Sequence, residues 1–129
     1  METLLVQTSR RDEFVDITSK IQGVLSRSGV RRGICVVFVP HTTAGVTINE
    51  NADTDVIKDI LVSLDRQVPW ECDYCHGEGN SAAHVKASFM GSSVTVPVEE
   101  GRLQLGTWQG VFFTEFDGPR TRKVFIQIH

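Results

Sequence analysis

Two histidines enclose a glycine-rich segment that could do chemistry. His76 and His84 are eight residues apart and are joined by Gly-Glu-Gly-Asn-Ser-Ala-Ala. Asn80 is a favourable N-cap, so residues 81–90 predict a short helix ended by Gly91. The flexible glycines could then let the loop and helix imidazoles converge, as a transition metal or a proton-transfer site requires. The residues leave open a plainer alternative, in which each histidine hydrogen-bonds only to its neighbours.

A third histidine, His41, follows a continuous β-branched run. Residues 33–40 are bounded by Gly and Pro and predict a strand buried on both faces, with Cys35 as a small core residue. Next to His41, Thr42 and Thr43 offer hydroxyl groups, and Gly45 would permit close approach of a ligand to the backbone. We therefore expect His41 to face a cleft.

A polar cluster follows the next predicted strand, at residues 46–50. Asn49, Glu50 and Asp53 add three polar side chains after a segment that is otherwise largely apolar. They are candidates for a functional site. The alternative is strand-end and helix-capping chemistry, which would use Asn49 and Asp53 entirely.

Arginines mark a second polar segment near the end of the chain. Asp117-Gly-Pro-Arg120 predicts a hairpin turn. Arg120, together with Arg122 and Lys123, could bind a phosphate, which arginine contacts through two parallel hydrogen bonds. A turn with solvated charges is the alternative.

Cys72-Asp-Tyr-Cys75-His76 matches the C-x-x-C-H pattern of haem attachment. Against haem, the start of the chain lacks the pattern of a signal peptide, and the remaining segments predict a β-rich domain. A zinc site from the two cysteines with His76 and His84 is chemically reasonable, but a chain of this size does not need a structural metal to stabilise its fold. Incidental loop cysteines are the interpretation we favour.

These groups must be positioned by a mixed set of elements. Strands at both ends, with helices inserted between them, predict an α+β fold with a largely antiparallel sheet core and about three helices. We expect a hairpin from residues 3–9 and 13–17, a helix over 19–28 capped by Thr18, and a helix from Asp53 or Thr54 to about residue 66. The last four predicted strands form an antiparallel meander: 93–98, 102–108, 111–116 and 123–128.

Composition limits the classes of protein. The chain has 129 residues, 40% hydrophobic and 22% charged, and a formal net charge of −3. Residues 1–129 therefore predict one compact domain, with no reason to expect a nucleic-acid partner. No apolar stretch is long enough to cross a membrane, and three cysteines without an export signal predict a cytoplasmic protein.

Five motifs occur together and in order, and they resemble the YjbQ-like family. These small bacterial and archaeal proteins are described as secondary thiamine-phosphate synthases. The resemblance covers nearly the whole chain and is weakest before residue 30. The motifs are Pro40-His-Thr-Thr-Ala44, Asn49-Glu50, the segment His76 to His84 with Gly79-Asn80, Leu105-Gly-Thr-Trp-Gln-Gly110 and Asp117-Gly-Pro-Arg120.

The resemblance implies a homotrimer with sites near the subunit boundaries and a metal bound by His41, His76 and His84. Three neutral imidazoles suit zinc, whereas diphosphate chemistry is usually paired with magnesium. The implied reaction joins a pyrimidine methyl diphosphate to a thiazole phosphate and releases pyrophosphate. It requires neutralisation of the leaving group and no strong protein nucleophile.

Roles for individual residues follow from the resemblance. We expect Glu50, Asp53 and Arg120 to act in catalysis, the two carboxylates by orienting a ligand histidine and Arg120 by contacting the anion. We expect the substrate to contact Thr42, Thr43, Asn49, Asn80 and Arg120. On local grounds Trp108 is predicted to fill the core, with a role at a subunit interface as the alternative. The sequence leaves two rival functions: a hydrolase that uses the same metal to act on a small phosphorylated substrate, and a non-catalytic metal or small-molecule binding protein.

Overall fold

The computed structural model describes residues 1–129 as eight strands and three helices. The strands are β1 (Glu2–Gln7), β2 (Glu13–Asp16), β3 (Gly33–Phe38), β4 (Ala44–Glu50), β5 (Ser93–Glu99), β6 (Arg102–Leu103), β7 (Gln109–Glu115) and β8 (Thr121–Ile128). The helices are α1 (Thr18–Ser28), α2 (Thr54–Gln67) and α3 (Ser81–Met90). The α+β class is confirmed. None of the helices is both long and apolar enough to cross a membrane.

Two antiparallel sheets enclose the core. The larger sheet has the order β1-β8-β3-β5-β6 and the smaller has the order β2-β7-β4. Alternate residues of a strand face opposite sides, so each sheet turns one apolar face inward, towards the other sheet and α1. The main core cluster accordingly combines residues from both sheets and α1, such as Val37, Val124, Phe113 and Ile21. The helix α3 packs on β4 and β7, and a second cluster of Ala83, Ala87 and Phe116 lies there.

The predicted pairings at both ends of the chain were wrong. β1 pairs with β8 and β2 with β7, so residues 3–9 and 13–17 form no hairpin. The last four strands form no meander, because β7 and β8 belong to different sheets. The predicted strand 102–108 shortens to β6, and the segment 117–120 is a crossover between sheets with a cis Gly118–Pro119 bond. Local patterns gave the strands but not their partners.

Two predictions about burial were also wrong. β3 is buried on one face only, since Ile34 and Phe38 are each 42% exposed while Cys35 and Val37 are buried. Trp108 is 63% exposed and does not fill the core. The larger sheet therefore has an outer face with exposed apolar side chains.

The helix caps were predicted with mixed success. Asp53 caps α2 by accepting a hydrogen bond from the backbone N–H of Asp55, as expected. Thr18 is the first residue of α1, and its hydroxyl bonds instead to Asp16 and to the Val111 N–H. Asn80 precedes α3 without a side-chain capping bond. Its amide is therefore free for contacts elsewhere.

Candidate functional site

One polar cavity of about 730 Å³ collects most of the predicted site residues. Its walls come from the β3–β4 loop, the segment before α3, α3 itself and the crossover into β8. The predicted site residues on these walls are His41, Thr42, Thr43, His76, Asn80, His84 and Arg120. Residues from three distant parts of the chain, 38–43, 76–92 and 117–122, therefore share one cavity.

Glycine lets β4 lie against the end of α3. A Cβ placed on Gly45 would be 2.6 Å from the Gly91 carbonyl oxygen, closer than any side chain tolerates. The same carbonyl accepts a hydrogen bond of 3.1 Å from the Val46 N–H. Gly45 was expected to permit close approach of a ligand to the backbone, but the chain at the end of α3 occupies that position instead. This contact brings the loop that carries His41 beside His84.

His76 and His84 converge, which is one of the two alternatives that the sequence left open. Their ring centres are 5.4 Å apart and their planes are nearly perpendicular, at 87°. The Nε2 atom of His76 also lies 3.8 Å from a carboxylate oxygen of Glu78. Ring centres about 5 Å apart are compatible with two imidazole nitrogens that each lie about 2 Å from one shared ion.

His41 makes a different contact. The backbone N–H of Lys123 donates a hydrogen bond of 2.9 Å to its Nε2 atom. Burial, and then the charge of Arg122, lower the pKa of His41 below its ordinary value of 6.5. The ring is therefore neutral near pH 7. Because Nε2 is the acceptor, the proton lies on Nδ1, and His41 is a hydrogen-bond donor through that atom.

The donor set fits a metal only in part. His76 and His84 could each direct a nitrogen lone pair at one ion, but the Nε2 lone pair of His41 is occupied by Lys123 and its Nδ1 carries a proton. No group of three or more His, Cys, Asp or Glu side chains is placed to hold a metal. The three-histidine ligand set stays a prediction, and the arrangement accommodates two of its members.

A buried ion pair that sequence reasoning missed supports the cavity wall. Arg122 and Glu115 are 3% and 0% exposed. The Arg122 Nε donates to Glu115 at 2.8 Å, and its Nη2 donates to the Thr43 hydroxyl at 2.8 Å. Glu115 also accepts from the Thr8 hydroxyl at 2.9 Å. A period-two signal existed, because Glu115 and Arg122 each lie two residues from an apolar residue that faces the core, Phe113 and Val124.

The pair also fixes the charge of its carboxylate. Burial alone would raise the pKa of Glu115, but the hydrogen bonds from Arg122, the Asp117 N–H and Thr8 lower it below its ordinary value of 4.5. Glu115 is therefore ionised, and Arg122 adds a fixed positive charge to the cavity wall that its partner largely balances.

Arg120 is held beside the cavity by Asp117. Its Nε donates to the Asp117 carbonyl at 2.9 Å and its Nη2 to the Asp117 carboxylate at 3.2 Å, while half of the side chain is exposed. Asn80 donates to the same carboxylate at 3.0 Å. The other amide atom of Asn80, Oδ1, is buried without a hydrogen-bond partner. Buried polar atoms are normally paired, so this oxygen is available to a ligand donor.

Three predicted site residues lie elsewhere. Glu50 and Asp53 line a second cavity of about 410 Å³, and Asn49 accepts a hydrogen bond from the Glu50 N–H. The seven residues of β4 span about 20 Å, so this end of the strand is far from the histidines. In this structure Glu50 and Asp53 cannot orient a histidine. The capping alternative holds for Asp53.

The cysteine pair takes no part in the cavity. Cys72 and Cys75 are exposed and free, and neither lines the cavity that contains His76. Nearby, Trp70 packs under the guanidinium of Arg11, 4.5 Å from the ring centre. The loop is thus anchored by an aromatic contact with Arg11.

Comparisons with known proteins place the chain among close relatives. It is 52% identical to the UPF0047 protein YugU of Bacillus subtilis over 129 residues, which covers 99% of this chain and 98% of that protein. It is 50% identical to the UPF0047 protein MJ1081 of Methanocaldococcus jannaschii over 123 residues, 95% of this chain and 89% of that one.

Solved structures agree. A conserved YjbQ/UPF0047 family protein of Clostridium acetobutylicum superimposes with a TM-score of 0.98 at 57% identity over both complete chains. A protein of unknown function from Sulfolobus solfataricus gives 0.94 at 36% identity, covering 98% of this chain and 94% of that one. The model of the UPF0047 protein YjbQ-like family matches residues 2–129. The protein belongs to the YjbQ-like UPF0047 family.

Proposed function

We propose that the protein is an enzyme acting on a small phosphate or diphosphate ester. The observation that carries this proposal is the convergence of two arginines and three histidines on one polar cavity, which Glu78 and Asp117 also line. Arginine is the side chain best matched to phosphate geometry, and neutral imidazoles add hydrogen-bond donors or proton carriers. The specific reaction we infer is the joining of a pyrimidine methyl diphosphate to a thiazole phosphate.

In this reaction the thiazole ring nitrogen attacks the methylene carbon of the diphosphate. The C–O bond breaks, and pyrophosphate departs with the bonding electrons. The Arg120 guanidinium would neutralise the departing charge, with Arg122 behind it, and the Nδ1–H of His41 would donate to a non-bridging oxygen. Asn80 Oδ1 would accept from a ligand N–H or O–H group. No protein nucleophile is needed.

Hydrolysis of a small phosphorylated substrate is the second candidate. The close approach of His76 and His84 favours it, because two imidazoles at 5.4 Å could hold part of the coordination sphere of a zinc ion. Such an ion would supply a water of lowered pKa. A non-catalytic binding protein would use the same cavity without turnover.

A substrate panel separates these functions. Purified protein is incubated with the pyrimidine diphosphate and thiazole phosphate together, with each alone, and with simple phosphate esters, in zinc or in magnesium. Coupled product formed only with both substrates supports the synthase, whereas phosphate or pyrophosphate released from one substrate supports the hydrolase. Binding without turnover in every case supports the non-catalytic function.

Metal content is a separate measurement. Elemental analysis of the wild type after exposure to zinc is compared with His84→Ala and His41→Gln. We expect zinc to be lost in His84→Ala and kept in His41→Gln, since Gln can still accept the hydrogen bond from Lys123. Loss of zinc in both folded variants would support all three histidines as ligands. Absence of zinc from the wild type would contradict metal binding at this site.

We also propose that the protein is a homotrimer. Support comes from the outer face of the larger sheet, where Leu5, Ile34 and Phe38 are exposed and Phe38 stacks on Phe125 with ring centres 6.4 Å apart. Exposed apolar surface of this kind is typical of subunit contacts. Light scattering should give three times the chain mass for the wild type and a smaller mass for Leu5→Glu. A monomeric wild type would contradict the proposal.

A further inference from the structure

The loop before α3 carries two free cysteines that the proposed function does not use. Cys72 and Cys75 are exposed, whereas the third cysteine, Cys35, is buried in the core. An exposed thiol can react with a disulfide in solution, but a buried thiol cannot be reached. Burial also raises the pKa of the Cys35 thiol to about 11, which keeps it protonated. The loop pair is therefore the part of the chain that is placed for thiol chemistry.

The chain turns sharply between the two loop cysteines. The Tyr74 N–H donates a hydrogen bond of 2.8 Å to the Cys72 carbonyl, which closes a three-residue turn around Asp73. A disulfide requires Cα atoms about 4.4–6.8 Å apart. Residues three positions apart in an extended strand exceed this separation, at about 10 Å, and a turn shortens it. The spacing and the turn together allow one disulfide ring to close within the loop.

The loop is held at both of its ends. On one side, Trp70 lies 4.5 Å from the guanidinium carbon of Arg11, measured from the ring centre. On the other side, Asn80 donates to Asp117 at 3.0 Å. The segment between these anchors contains two glycines, whose backbone adjusts readily. A change at the cysteines is therefore taken up inside this segment, which also carries His76.

His76 connects the cysteines to the cavity, because it follows Cys75 directly. Its ring is 45% exposed and meets the edge or face of the His84 ring with centres 5.4 Å apart. Its approach to Glu78, at 3.8 Å, is longer than a hydrogen bond. A ring held by so few contacts follows the backbone of the residue before it.

We propose that Cys72 and Cys75 form a thiol–disulfide exchange site, and that closing their disulfide moves His76 away from His84. The substrate class is a small disulfide such as oxidised glutathione. The sulfur of one cysteine attacks this disulfide, forms a mixed disulfide and releases the first thiol. The other cysteine then attacks the protein sulfur of the mixed disulfide, closes the new S–S bond and releases the second thiol. The protein gives up two electrons and two protons, which the two released thiols carry away.

Mass spectrometry of the full-length protein tests the exchange. The protein is incubated with oxidised and reduced glutathione, and the remaining thiols are then alkylated in denaturant. In the wild type two of the three thiols should be lost, leaving Cys35. Cys72→Ser and Cys75→Ser each lack the second sulfur, so each should retain glutathione as a mixed disulfide. A wild type that retains glutathione, links two chains or keeps all three thiols would overturn the exchange site.

Proton NMR of the imidazole rings tests the movement. An aromatic ring shifts the resonances of protons close to it, so the ring signals of His76 and His84 should both shift on oxidation. Those of His129, at the end of the chain, should not. The double variant Cys72→Ser with Cys75→Ser is the matched control and should show no shift in the same glutathione mixture. Unchanged His76 and His84 signals in the oxidised wild type would overturn the link between the cysteines and the cavity. Both measurements are independent of the reaction that the cavity performs.

Discussion

The two ends of β4 carry polar clusters of different composition. At the Ala44 end lies the cavity with three histidines and two arginines, which Glu78 and Asp117 also line. At the Glu50 end lies the cavity with the four carboxylates of Glu13, Asp16, Glu50 and Asp53, which Arg10 and Lys58 also line. We call these the histidine end and the carboxylate end. Both were expected to contribute to one site. They are separate in the structure because the extended strand keeps them apart.

The origin of the contacts distinguishes the two ends. At the histidine end, hydrogen bonds join residues far apart in sequence, such as Lys123 to His41 and Arg122 to Thr43. At the carboxylate end the shortest bonds are local: Asp53 accepts from the Asp55 N–H and Asp16 from the Thr18 N–H, each at 2.9 Å, while the bond from the Asn51 side chain to Asp16 is longer, at 3.3 Å. Long-range polar contacts that are buried need the whole fold to form them. Local ones follow from helix and turn chemistry, and imply no ligand.

The largest effect should come from breaking the buried pair at the histidine end. Arg122→Met leaves the Glu115 carboxylate buried without its main partner, and we expect the free energy of unfolding to fall by about 3–5 kcal/mol. Urea denaturation measures this. The double variant Arg122→Met with Glu115→Gln removes both charges and should recover much of the loss. An equal loss in the double variant would show that the effect is packing and not charge.

A functional contrast comes next. Arg120→Ala removes a half-exposed guanidinium, so the free energy of unfolding should change by about 0.5 kcal/mol or less. The kcat/KM on a phosphorylated substrate should fall about 100-fold, because the charge that stabilises the leaving group is lost. Glu50→Gln at the carboxylate end is the matched control and should change neither quantity appreciably. A large loss of activity in Glu50→Gln would show that both ends of β4 contribute to one site, for instance across a subunit boundary.

Sequence reasoning recovered what depends on neighbouring residues. The helix over residues 81–90 and the Asp53 cap follow from local pattern, and spacing allowed the convergence of His76 with His84 without deciding it. It did not predict the pairing of strands that are distant in sequence. The pairing of β1 with β8 is such a case, because it depends on a contact between the two ends of the chain.

The missed pair of Glu115 and Arg122 shows the same limit within the site. Alternation places both side chains on a core face, which is informative, since charges there must be paired. Alternation cannot show that Glu115 pairs with Arg122, because β7 and β8 lie in different sheets. Asn80 was assigned to a cap for the same reason, as its partner Asp117 is distant in sequence.

Acid should weaken the histidine end in two stages. His41 has a lowered pKa in the folded protein, so the unfolded chain takes up its proton first as pH falls below about 6.5, and stability declines. Glu115 also has a lowered pKa, and its contribution declines below about 4.5. Urea midpoints at pH 7.5 and 5.5 should differ less in His41→Gln than in the wild type. An equal difference in both would show that His41 does not cause the first stage.

The smallest effect should come from the carboxylate end. Asp53→Ala removes the side chain that accepts the Asp55 N–H, and loss of such a cap lowers the free energy of unfolding by about 1 kcal/mol. Asp53→Asn keeps a capping oxygen and should retain most of that stability, so the pair of variants isolates the cap from the charge. Neither should change pyrophosphate affinity, because Asp53 lies at the opposite end of β4 from the arginines. If Asp53→Asn lost binding while keeping stability, the Asp53 charge itself would serve the ligand, and capping would no longer explain why an acid stands at this position.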